Sequence, residues 1–218
     1  MSPKQTDSTT SERLLFAADA LFGERGFDGV SARDVADRAG VNKAQVFYYF
    51  GSMEALFTRV VDGYYEAHRA ALAGAAANDA PLAERLHAMV DTYLDFIDAN
   101  RRYPRLVQNQ LTSHGTQIDA IRRSMAALYE AIAGVLAEVT PATGPLAARH
   151  FFVTFSAAVI NTFTYAPALE GIWEGDPLAP AAIAERRLHL HWLVDTLLAR
   201  LIDDSGAGSL ALLGRHRA

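Results

Sequence analysis

The chain of 218 residues is 50% hydrophobic and 21% charged, with 15 glycines and 8 prolines, a profile of one or two folded domains that excludes disordered and collagen-like classes. It holds no cysteine, which removes disulfides, thiolate metal sites and cysteine nucleophiles and fits a reducing, cytoplasmic setting. The net charge of -5, from 20 Lys and Arg against 25 Asp and Glu, excludes a protein that coats nucleic acid by bulk electrostatics, so any contact with DNA has to be local.

Residues 1 to 10 are polar and lack the apolar core of a signal peptide. A first helix is predicted from a cap at Thr9, with Glu12 at the capping-box spacing, through Leu14, Leu15, Ala18, Leu21 and Phe22 to Gly26. A second opens at Ser31, with Asp34 at the same spacing, and ends at Gly40. A third opens at the N-cap residue Asn42 and ends at Gly51. A fourth runs from Ser52 to about Gly74, and the stretch Ala75 to Pro81 then reads as a domain boundary.

Beyond it, helices are predicted over 82 to 99, 103 to 112, 118 to 139, 145 to 166 and 181 to 202, with Gly171 to Pro180 a loop and 203 to 218 a flexible tail. The chain therefore reads as all α, with about nine helices. The expected division is 1 to 52 for a helix-turn-helix domain, 53 to 74 for a connecting helix and 75 to 202 for a larger helical body. The apolar run Phe151 to Ile160 is well short of the roughly 20 residues that cross a bilayer, so no membrane span is expected. In the last helix Leu190, Leu193, Val194, Leu197 and Leu201 form an apolar stripe. Such a stripe late in a chain is a candidate dimer interface.

The chemistry concentrates in Ala32 to Gly51. Two short helices that cross steeply need a small residue where they approach, a turn residue tolerant of positive φ and apolar wedges on both sides. Ala36, Gly40 and the set Val35, Ala39, Val41 and Val46 supply these, which is the pattern of a helix-turn-helix. With Val46 placed inward and about 100° per residue, Ala44, Tyr48 and Gln45 lie about 160°, 200° and 260° round the third helix and point outward.

Those three are the candidate base readers: Gln45 for adenine, Ala44 and Tyr48 for thymine methyl groups. Gln45 also lies three residues after Asn42, the spacing of a capping box. Lys43 and Tyr49 flank the same face, while Arg33 and the helix starts at Ser31, Asn42 and Ser52 are candidate phosphate contacts.

Residues 14 to 57, LLFAADALFGERGFDGVSARDVADRAGVNKAQVFYYFGSMEALF, resemble the tetracycline-repressor-like (TetR/AcrR) family of bacterial regulators. Gly26 and Phe27, Ser31, Val35 and Ala36, Ala39 to Val41, Tyr49, Phe50, Ser52, Glu54 and Leu56 carry the likeness. Phe47 stands where the family usually has Tyr, and Met53 where Lys is usual. The resemblance implies a homodimer that binds a double-stranded DNA operator and a small-molecule effector, the effector changing the separation of its two recognition helices.

Aromatic or polar residues within the apolar helices are the candidate effector contacts: Tyr65, His68, Tyr93, Phe96, Gln110, Tyr129, Phe152, Phe155, Asn161 and Tyr165. The mix points to a mainly apolar molecule. Glu84 and His87 have a di-iron spacing without the second copy such a site needs, and His189 and His191 are about 200° apart on one helix. No cofactor, metal or enzymatic activity is expected. The reading is a ligand-responsive repressor; a helical small-molecule binder or enzyme that retains a helix-turn-helix shape is the alternative.

Overall fold

The computed structural model describes residues 9–76, 80–112 and 118–206. Among the described residues it forms nine α-helices and no strand: α1 (Thr10–Arg25), α2 (Ala32–Ala39), α3 (Lys43–Phe50), α4 (Met53–Ala76), α5 (Leu82–Ala99), α6 (Tyr103–Thr112), α7 (Ile118–Leu136), α8 (Ala148–Leu169) and α9 (Pro180–Gly206). The first three begin at the capping boxes expected at Thr9, Ser31 and Asn42, where a side-chain oxygen accepts an otherwise orphaned amide of the first turn.

The later ends shift. The helix expected to reach 139 stops at Leu136, and α8 starts at Ala148 instead of 145, so Pro141 and Pro145 both lie in the connecting turn. α8 runs through Pro167 to Leu169, because a proline in the last turn removes a single hydrogen bond. α9 continues beyond Asp203, where fraying was expected, to Gly206. The rest of that tail lies outside the described residues.

Two compact units divide the chain, Met1–Ala67 with Asn100–Ala126, and His68–Ala99 with Ala127–Ala218. In the first, α1 packs on α2 and α6, and α2 on α3. Its core is aromatic: Phe57 meets Phe22 and Phe27 edge-on, each at 5.3 Å between ring centroids. The hydroxyl of Tyr64 donates to Asp19 at 2.5 Å, and Arg102 approaches the same carboxylate at 3.3 Å, which ties α4, α6 and α1 together.

In the second unit α5 packs on α8 and α9 around Leu94, Ile97, Val159 and Leu190. An antiparallel polar ladder runs beside that core. His87 pairs with Asp195 at 2.8 Å, His191 with Asp91 at 2.7 Å, and Arg187 with both Asp91 and Asp95. The rings of His87 and His191 stack at 4.2 Å. His87 is thus engaged across the α5–α9 contact, and Glu84 beside it is exposed.

Candidate nucleic-acid interface and ligand cavity

α2 starts where Ser31 exchanges hydrogen bonds with Asp34: the serine oxygen accepts the Asp34 amide at 3.3 Å, and the Asp34 carboxylate accepts the Ser31 amide at 2.9 Å. The serine hydroxyl donates to that carboxylate as well, and these bonds hold the Asp34 acid below the usual carboxylate range. The helix ends at Gly40, whose φ of +66° is the left-handed conformation that only glycine adopts at little cost. The amides of Gly40 and Val41 bond back to Asp37 and Ala36 at 3.2 and 3.0 Å, turning the chain in three residues into α3.

Val46 of α3 is fully buried, as are Val35 and Ala36 on the α2 it packs against, and this fixes the roll of the helix. That burial is worth about 2 kcal/mol. The roll leaves Asn42, Lys43, Ala44, Phe47, Tyr48 and Tyr49 exposed. Tyr48 is 82% exposed and meets Tyr49 edge-on at 5.1 Å. The Lys43 ammonium lies 5.9 Å from the Phe47 ring. Ser52 caps α4 by accepting the Ala55 amide at 3.1 Å.

Cations elsewhere on this unit face acids: Arg25 lies 3.8 Å from Asp34, Arg33 lies 3.7 Å from Asp37, and Arg38 bonds Glu24 at 2.8 Å. Residues 1 to 74 hold 10 Asp and Glu against 8 Lys and Arg, and these three pairs leave that two-residue excess of acid unchanged.

The second unit holds an open-mouthed cavity with about 800 Å³ of empty space, counting the part open to solvent. Most of its wall is aliphatic or aromatic, from Leu72 on α4, Met89 on α5, Ile132 on α7, Phe155 on α8 and Leu198 on α9. His68, Tyr93 and Ser156 bring its polar atoms. His68 is 1% exposed, and Tyr93 and Phe96 stack on it at 4.5 and 4.7 Å with ring planes within 12°. Neither imidazole nitrogen has a hydrogen-bond partner among the described residues, and burial pushes the group down to about 4.

A helix-turn-helix at the front of an all-helical chain, followed by helices around an apolar cavity, matches what is found by comparison. The pattern described as "Bacterial regulatory proteins, tetR family" matches residues 14–60, and that of the "Tetracyclin repressor-like, C-terminal domain" matches residues 81–163. The chain belongs to the tetracycline-repressor family.

Among its relatives, YttP of Bacillus subtilis is 31% identical over 52% of this chain and 56% of its own length, and the transcriptional repressor BdcR of Escherichia coli is 35% identical over 42% and 44%. The chain spans about half the length of these curated relatives. The fatty acid degradation regulator FadR from Bacillus halodurans shares the fold, with a TM-score of 0.67 and 13% identity over 87% of this chain and 96% of that one.

Within this family member the expected contacts separate. Ser31, Arg33, Asn42, Lys43, Ala44, Gln45, Tyr48, Tyr49 and Ser52 all lie on α2, α3 or the starts of helices. Gln45 is half-buried, its Oε1 accepting the Asn42 amide at 3.3 Å, so the capping box is formed. Phe47 is the exposed aromatic that the outward set omitted; its position 100° round from Val46 carried that signal.

Of the expected effector contacts, His68, Tyr93, Phe152 and Phe155 line the cavity. Phe96 stacks behind His68, Tyr129 packs on Phe152 at 5.4 Å, and Asn161 is half-buried elsewhere on α8. Tyr65 belongs to the first unit, and Tyr165 is exposed. The side chain of Gln110 lies outside the described residues.

The α9 stripe expected to hold a dimer turns inward instead. Leu190, Val194 and Leu201 are buried, Leu193 and Leu197 are half-buried, and Val194, Leu197 and Leu201 line the cavity. The apolar residues on the outer side of α9 are Leu188 (69% exposed), Trp192 (59%) and Ile202, and α8 adds Val153 (63%) and Tyr165. α8 is long and apolar enough to cross a membrane by length and composition, with a mean hydropathy of 1.3, which the shorter run Phe151 to Ile160 had not suggested. Its two apolar sides account for that figure: one lines the cavity and the other carries Val153 and Tyr165.

Proposed function

We propose that the chain is a homodimeric, ligand-responsive transcriptional regulator in the bacterial cytoplasm, a repressor released from its DNA operator by a small, mainly apolar effector. The observation that carries the reading is the exposed aromatic face of α3 on a short, doubly capped helix, with Tyr48 82% exposed at its centre. A large apolar surface on a two-turn helix has no role in its own core, and it has the width of a major-groove reader.

Ala44, Phe47 and Tyr48 contact base edges, with thymine methyl groups their chemical match. Lys43, Arg33 and Tyr49, with the helix starts at Ser31, Asn42 and Ser52, meet the phosphates. Gln45 acts chiefly by holding the start of α3 in shape. Two copies pair through the outer faces of α8 and α9, where Val153, Tyr165, Leu188, Trp192 and Ile202 form apolar surface of the kind that marks interfaces. Such a pair reads half-sites about 34 Å apart or at multiples of that. The effector occupies the cavity of the second unit, and the likeness to BdcR, a transcriptional repressor, supports the sign of regulation.

Titration of labelled DNA from upstream of the protein's own coding region tests the reading. Saturable binding that weakens steeply with salt and is competed poorly by unrelated duplex is expected. Binding that is non-saturable, or indifferent to sequence, would leave a helical small-molecule binder with a helix-turn-helix shape.

A further inference from the structure

We infer that the molecule taken by the cavity of the second unit is uncharged and largely hydrocarbon, and that it carries one hydroxyl or carbonyl group which hydrogen-bonds the edge of His68. The inference rests on the cavity being the effector site.

Tyr93 and Phe96 stack on the ring of His68, so what the imidazole has left is its edge, where both nitrogens are buried without a hydrogen-bond partner among the described residues. A buried polar group of this kind calls for a partner. Burial keeps the ring neutral at ordinary pH, and a neutral imidazole presents one N–H donor and one lone pair. An alcohol can serve either nitrogen, and a carbonyl can accept from the protonated one.

The charge of the occupant follows from the rest of the wall. Among the described residues no Asp, Glu, Lys or Arg lines the cavity, and besides His68 only Tyr93 and Ser156 bring polar side-chain atoms. A carboxylate, phosphate or ammonium head placed beside His68 would be desolvated with no opposite charge to meet it. A neutral head forfeits only its own hydrogen bonds to water, which His68 replaces. Leu72, Met89, Ile132, Phe155 and Leu198 then surround the hydrocarbon part.

Three ten-carbon probes separate the possibilities: 1-decanol, 1-chlorodecane and decanoate, titrated calorimetrically into the intact protein and its variants at about pH 8. The alcohol is expected to bind at least about tenfold more tightly than the carboxylate. In His68→Phe, which keeps an aromatic ring in the stack and removes both nitrogens, its affinity should fall about tenfold while that of 1-chlorodecane moves less than threefold. His68→Gln, which retains a donor and an acceptor, should recover part of the loss, and far-UV circular dichroism with melting checks that both variants fold.

Decanoate binding as tightly as decanol, or a decanol affinity unmoved in His68→Phe, would overturn the assignment of a neutral, His68-bound head while leaving an effector cavity in place. Failure of all three probes to bind would count against the cavity as an effector site, and against this inference with it.

Discussion

Gln45 Oε1 accepts the backbone amide of Asn42 at 3.3 Å while Asn42 Oδ1 accepts that of Ala44 at 2.9 Å, a reciprocal lock on the first turn of α3. The side chain best suited by chemistry to read adenine thereby has its oxygen engaged at the start of the helix that carries the proposed reading face. Gln45→Ala should lower stability by about 0.5 to 1 kcal/mol, read as a drop in melting temperature, and weaken operator binding less than Tyr48→Ala does. A larger loss of affinity than in Tyr48→Ala, at unchanged melting temperature, would make Gln45 a base reader.

Tyr48 touches its neighbour Tyr49 and little else, so its removal should leave the fold alone. Tyr48→Ala is expected to keep the wild-type melting temperature within a degree or two and to lose about tenfold or more in affinity for the specific operator. Affinity for unrelated duplex should change little. Lys43→Ala should instead weaken binding to all duplexes alike and lower the slope of log affinity against log salt by about one. Equal losses on specific and unrelated DNA in Tyr48→Ala would reassign the tyrosine to the phosphates.

The two faces of α9 predict opposite consequences for the same kind of substitution. Trp192 projects outward, so Trp192→Arg should yield a folded monomer by sedimentation, with helix content intact. Leu197 is half-buried and lines the cavity, so Leu197→Arg should set a cation against an apolar wall and lower the melting temperature without acting on assembly first. A Trp192→Arg protein that sediments as a dimer would remove the outer face from the interface.

The contrast shows where the sequence could be read and where it could not. Helix starts were legible because capping is local: Thr9 with Glu12, Ser31 with Asp34 and Asn42 with Gln45 each act over three residues, and Gly40 marks a left-handed turn that other residues resist. The helix-turn-helix face was legible for the same reason, since Val46 sets the roll of an eight-residue helix.

The cavity was not. Leu72, Met89 and Ile132 have the same character as core residues, and what distinguishes them is the space that the five surrounding helices leave unfilled. Nor could the stripe on α9 announce its partner, because an apolar periodicity identifies a face and says nothing of what covers it. Leu188, Trp192 and Ile202 on the other side are exposed apolar side chains, and they carry the proposed contact with a second copy.

The burial of His68 also sets a pH dependence with a definite sign. Its folded pKa of about 4 lies below the ordinary histidine value of 6.5, so as pH falls the unfolded chain takes up a proton at this site before the folded one does. The contribution of His68 to stability is therefore whole above about pH 6.5, declines as pH falls and levels off below about 4, an overall loss of roughly 3 kcal/mol. No charged side chain lines the cavity beside the ring among the described residues, so no neighbouring charge offsets that burial. Glu24, held low chiefly by its hydrogen bond from Arg38, and Asp34, held low by Ser31, weaken the fold in the same direction only once pH drops into the ordinary carboxylate range.

Comparing urea midpoints of the wild type and His68→Phe at about pH 7 and pH 4.5 isolates the histidine. The wild type should lose about 2 to 3 kcal/mol more than the variant over that interval. Equal losses would mean that the imidazole is protonated, or reached by water, in the folded protein.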